Sequence, residues 1–242
     1  ANTIALSMEK AFGIDTWVMG GVLAVLSGVV IFGGIQRVAN FATLLVPVMA
    51  GIYLLIALIT VILHIDQVPA MFALILHDAF SPQAAVGGGI GTAILTGIRR
   101  GLFSNEAGEG SIPNAAATAN VTHPVKQGLV QAFGVYVDTW IVCSATAFIV
   151  LLTGQYTIGG DTTGIALAQD SLASVFGPWA SSLLAVLIFL FAFSSVVGNY
   201  YYGEVNIHFF GGNTERALFV YRLGVVAMVF FGCIAALGLV WN

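Results

Sequence analysis

The chain has 242 residues, 59% of them hydrophobic and 7% charged, with a net charge of −4. Soluble domains carry about 25% charged residues, so this composition, with a mean hydropathy of +0.99, excludes a water-exposed globular surface. The absence of a basic run excludes nucleic acid as a partner and leaves an all-α polytopic membrane protein.

In chain order, six membrane segments can be drawn from runs of about 20 mostly apolar residues. They are Trp17 to Ile35, Phe41 to Leu63 with Pro47 inside it, Ile90 to Asn120, Gly128 to Thr153, Ser181 to Tyr202, and Leu218 to Trp241. Alternation puts the connections holding Arg37, Lys126 and Arg216 on one side. The opposite connections carry Asp66, Asp78, Asp161 and Asp170 and neither Lys nor Arg. The positive-inside rule therefore places Arg37, Lys126 and Arg216 in the cytoplasm. Each long outer connection contains an amphipathic run, Val68 to Ala79 and Ile165 to Phe176, expected to form a short surface helix. Cys143 and Cys233 both lie in apolar runs and read as buried thiols rather than a disulfide or metal pair.

The third segment differs from the others. As one helix, Ile90 to Asn120 would run about 46 Å at 1.5 Å per residue, against a hydrocarbon core of about 30 Å. Its middle reads Arg100-Gly-Leu-Phe-Ser-Asn-Glu-Ala-Gly-Glu-Gly-Ser111. Glycine costs a helix about 1 kcal/mol against alanine, and charge at mid-membrane costs a few kcal/mol. The pattern predicts a helix that breaks between Phe103 and Ser111 inside the membrane. Half-helix N-termini suit carboxylates, whereas free carbonyls suit cations. A long polar loop outside the membrane is the alternative. Arg99 or Arg100 paired with Glu106 would hold the break; Glu109 is the weaker partner.

This motif, with His123-Pro124, Gln127-Gly128, Asp138-Thr139 and Cys143, resembles the alanine/glycine:cation symporter family of sodium:alanine carriers. The resemblance runs along the whole chain. It implies part of a five-plus-five inverted repeat of the leucine-transporter type, with the broken helix opening the second repeat. It also implies that the partner broken helix is absent. The chain is thus expected to be a fragment lacking the N-terminal helices and the C-terminal end of a carrier in a prokaryotic inner membrane.

Site residues follow. Phe103, Ser104, Asn105 and Gly108 lie where the family's helix unwinds. There they would bind a small neutral amino acid, or else serve interhelical hydrogen bonding. Asp138, an intramembrane carboxylate, serves a cation or braces the bundle. In segment five, Ser194 and Ser195 form a sodium site by the resemblance, or bond back to their own helix. Asn199, one turn beyond Ser195, shares that face and stands where relatives often have Trp. No histidine lies mid-span. The expected function is sodium-coupled import of alanine or glycine by alternating access. Sodium is a co-transported ligand, no cofactor is expected, and the oligomeric state is open. The alternatives are a proton-coupled or channel-like carrier of another small solute, and an intramembrane enzyme using Ser104 or Ser111.

Overall fold

The computed structural model describes residues 1–33, 35–79, 90–108, 110–117, 119–157, 162–211 and 214–235. Among them all regular structure is helical: α1 (Asn2–Phe12), α2 (Thr16–Gly33), α3 (Ile35–Leu63), α4 (Val68–Ala79), α5 (Ile90–Asn105), α6 (Ser111–Ala116), α7 (Pro124–Tyr136), α8 (Ser144–Thr153), α9 (Gly164–Phe176), α10 (Pro178–Phe209) and α11 (Glu215–Ile234). A 3₁₀ turn precedes α4. A π-helical segment, Val137–Cys143, joins α7 to α8 without a break in the rod. Among the described residues, five rods are long and apolar enough to cross a membrane: Thr16–Gly33, Val46–Leu63, Pro124–Thr153, Pro178–Phe209 and Glu215–Ile234. These correspond to five of the six segments drawn from sequence. The fifth runs several residues beyond both of its drawn ends. The last residues of the sixth, including Trp241, lie outside the described residues.

The chain forms two compact units. One comprises Ala1–Tyr53 with Gln155–Asn242, the other Leu54–Gly154.

In the first unit, α2 packs along α11. Gly20 makes this possible, because a Cβ there would meet the Phe230 ring and Cys233 at 3.2 and 3.3 Å. Ile4, Ala5, Met8, Met19, Leu23, Ala185, Val229 and Cys233 form the core. Helix α1 was not drawn from the sequence. It buries Ile4, Ala5 and Ser7 fully, and its ends are tied down by polar contacts. Asn2 Nδ2 donates to the Ala235 carbonyl at 2.8 Å. Lys10 pairs with Asp170 at 2.6 Å and donates to the Ala166 carbonyl. The buried Gln169 amide donates to the Ser7 carbonyl at 3.1 Å. Helix α9 is thus held to α1 by polar ties along its length, and it matches the expected outer helix within a residue.

In the second unit, α4 is the other expected outer helix, over the same residues as expected. Phe72 packs edge-on against Phe148 of α8 at 5.9 Å. Helix α7 starts at Pro124, where the missing N–H costs nothing. His123 caps it, its Nδ1 accepting from Val125 N.

Candidate functional site at the helix break

The third segment is interrupted where its glycines and charges predict. Helix α5 stops at Asn105, and α6 starts at Ser111. Between them Glu106 has φ 55°, Gly108 φ 88° and Gly110 φ 90°. Only glycine takes these left-handed conformations freely; Glu106 takes one at a cost. A Cβ at Gly108 or Gly110 would meet nothing within 4 Å, so the backbone angle, not crowding, calls for glycine. The Gly110 carbonyl accepts from Asn114 Nδ2 at 3.0 Å.

The end of α5 is fastened to the fourth span by side-chain hydrogen bonds. Ser104 Oγ donates to Asp138 Oδ2 at 2.8 Å and lies 3.1 Å from Cys143 Sγ. Asn105 Nδ2 donates to Thr139 Oγ1 at 2.9 Å. Its oxygen accepts from Ala107 N at 3.0 Å, which caps the first turn of the break. Asp138, Thr139 and Cys143 all belong to the π-helical segment. Asp138 therefore makes the bracing contact. Cys143, read from sequence as a buried thiol, is only half-buried and belongs to this cluster; Cys233 is the buried one.

A cavity of about 390 Å³ opens beside the break, lined by Glu106, Gly108, Gly110, Ile112, Gln131 and Val135 among others. That volume is in the range of small-molecule sites. Gln131 has no motif signal and went unnoticed in the sequence. Phe103 is exposed at the end of α5. Arg99 is exposed, and among the described residues no ion pair joins it to Glu106. The Arg100 side chain and Glu109 lie outside the described residues.

In the other unit, α10 is continuous through Ser194, Ser195 and Asn199. Both serine hydroxyls donate to one carbonyl, that of Phe191, at 2.7 and 3.2 Å. Ser195 and Asn199 are exposed on one face. A hydroxyl that donates to its own helix keeps its lone pairs, so back-bonding leaves two oxygens able to meet a cation.

The same helix carries a network that was not read from the sequence. Arg222 of α11 pairs with Glu204 at 2.8 Å and donates through Nε to Tyr200 Oη at 2.9 Å. Tyr221 Oη donates to the Tyr200 carbonyl at 2.9 Å, and the two rings stack at 5.6 Å. Gly203 makes room for this, since a Cβ there would collide with the Tyr221 hydroxyl. Opposite charges near the facing ends of consecutive apolar segments were the available signal.

A family model described as the sodium:alanine symporter family matches residues 1–242. The chain is 50% identical over 242 residues to a probable sodium/glutamine symporter, GlnT, of Bacillus subtilis, covering all of this chain and 50% of that protein. It is 51% identical over 241 residues to the amino-acid carrier protein AlsT of the same organism, covering 51% of it. The sodium/alanine symporter AgcS of Methanococcus maripaludis is 37% identical over 243 residues, with 53% of it covered. The chain spans about half the length of these curated relatives.

Proposed function

The chain belongs to the sodium:alanine symporter family, and from that premise we propose that it forms part of a secondary carrier coupling sodium entry to uptake of a small neutral amino acid, alanine or glycine first. The observation that carries this reading is the break between α5 and α6, with Ser104 and Asn105 fastened at its edge. An interrupted membrane helix leaves backbone donors and carbonyls free at one depth, and these can meet the two charged ends of an amino acid. The family is one of transporters, so Ser104 and Ser111 need no nucleophilic role.

In this reading Phe103, Ser104, Asn105 and Gly108 are substrate-binding residues of one unit; Asn199, on α10 of the other unit, is proposed separately as a polar substrate contact. Ser194 and Ser195 supply sodium ligands. Carbonyls from elsewhere in the full-length carrier would complete the shell. The architecture is a five-plus-five inverted repeat working by alternating access in a prokaryotic cell membrane, with Arg37, Lys126 and Arg216 on the cytoplasmic side.

A second reading concerns the amino acid. One relative at 50% identity is named a sodium/glutamine symporter, and Gln131 is among the residues lining the cavity beside the break. Glutamine is therefore the competitor to alanine. The test is binding of labelled alanine, glycine and glutamine, each in turn, to the purified full-length carrier in sodium or in choline. Sodium-dependent binding of alanine or glycine supports the first reading, and sodium-dependent binding of glutamine alone supports the second. Binding of none of the three in sodium rejects both.

A further inference from the structure

The fourth span departs from α-helical geometry over Val137–Cys143 alone among the described residues. In an α-helix, residues five apart diverge by about 140° around the axis. A turn bonded from i to i+5 winds less per residue and brings them closer to one face, and such turns concentrate at functional positions. Asp138 and Cys143 are five apart, and both reach the Ser104 hydroxyl, at 2.8 and 3.1 Å. An α-helical register would leave Asp138 in place and swing Cys143 away.

We infer that Cys143 is a positioning residue for the substrate site: aligned by the π-helical turn, its thiol fixes the Ser104 hydroxyl at the edge of the helix break. The inference rests on the proposed placing of Ser104 and Asn105 in that site. Its chemistry follows from counting protons. A serine hydroxyl has one proton and two lone pairs. The Asp138 carboxylate takes the proton. The Cys143 thiol then donates to the Ser104 oxygen, since its other acceptor, Asp138 Oδ2, is farther away at 3.9 Å. Ser104 is thereby held as an acceptor with one lone pair left. In that state it suits the positive end of an amino acid rather than its carboxylate. Without the thiol, the hydroxyl regains rotational freedom, and part of its order must be supplied by substrate binding.

Two measurements test this in the full-length carrier. For the first, every cysteine except Cys143 is replaced by serine, Ser104→Cys is introduced, and the protein is mildly oxidised. A disulfide is expected between residues 104 and 143. Trypsin cuts after Lys126, so the two peptides should stay joined until reduction. Failure to form the linked pair overturns the inference, because Cys143 then does not face Ser104. The second measurement is alanine uptake by Cys143→Val and Cys143→Ser. Valine fills the space but removes the donor, and the half-saturation concentration should rise about three- to tenfold at an unchanged maximal rate. Serine keeps a donor and should recover most of that loss. If valine prevents folding, Cys143→Ala takes its place: a rise of about three- to tenfold in half-saturation with normal turnover supports the inference, whereas unchanged half-saturation overturns it. A fall in maximal rate at unchanged half-saturation also overturns it, as the mark of a merely structural role. Asn105→Leu measured alongside separates this claim from its premise. If Asn105→Leu weakens uptake and the Cys143 variants do not, the positioning role falls while the site stands. If neither changes half-saturation, the site falls and takes the inference with it.

Discussion

The Asn105 amide faces two ways at once: its nitrogen donates to Thr139 Oγ1 at 2.9 Å, and its oxygen accepts from Ala107 N at 3.0 Å. One side chain thus satisfies a backbone N–H of the break and ties the end of α5 to the neighbouring span. Leucine has similar bulk and neither hydrogen bond. Asn105→Leu should raise the alanine half-saturation concentration about ten- to a hundredfold, the equivalent of about 1.5–3 kcal/mol for a charge-assisted hydrogen bond to the substrate. Asn105→Asp, which keeps the Ala107 cap and loses the donor to Thr139, should fall between the two. Unchanged half-saturation in both, at normal expression, removes Asn105 from the site.

The two serines of α10 make a separate prediction. Their protons are committed to the Phe191 carbonyl, so only their oxygens are available to sodium. Ser195→Thr retains the oxygen and should preserve sodium coupling. Ser195→Ala should raise the sodium concentration for half-maximal uptake, with Ser194→Ala acting in the same direction. Adjacent helix residues point about 100° apart, so the more exposed Ser195 should matter more. Wild-type sodium dependence in both alanine variants would mean that the hydroxyls serve only their own helix. Asp138 would then be the next candidate.

The ion pair between Glu204 and Arg222, 13% and 28% exposed respectively, predicts a stability effect independent of transport. Glu204→Gln should lower stability by about 1.5–3 kcal/mol through the lost charge-assisted bond, read as a lower melting temperature in detergent. Gly203→Ala should cost about 1–3 kcal/mol by overpacking against Tyr221. Gly203→Ala should be milder in a Tyr221→Leu background. Equal losses in the two backgrounds would show that Tyr221 is not the neighbour that matters.

What the sequence revealed depended on whether the signal was local. The break was legible because glycine, charge and left-handed turns are properties of the segment itself, and the structure interrupts the helix between Asn105 and Ser111. Helices α4 and α9 showed their own amphipathic patterns. Helix α1 was not drawn, since its short run is mixed with Ser7, Glu9 and Lys10, and its partners Ala235, Ala166 and Gln169 lie far along the chain. The π-helical turn left no local trace. Asp138 stood out as an intramembrane carboxylate, but nothing in Val137 to Cys143 marks the wider turn, and what the register brings together is Asp138 and Cys143 around Ser104. Glu204 and Arg222 were both visible, but their pairing depends on how α10 lies against α11.

Orientation makes a further claim. Lys126 is exposed just inside the start of α7 and bonds to Thr122. A cysteine placed at Gln127 should resist an impermeant thiol reagent applied outside intact cells and react once the cells are opened. Labelling from outside would invert the topology assigned to every span.

In the proposed carrier, sodium would drive the amino acid across the membrane. Proteoliposomes of the full-length carrier, loaded without sodium and diluted into labelled alanine, measure this directly. With sodium outside, alanine should accumulate above its external concentration, and collapse of the gradient by a sodium ionophore should release it. Uptake that only equilibrates, and at the same rate with sodium, potassium or choline outside, would contradict the account.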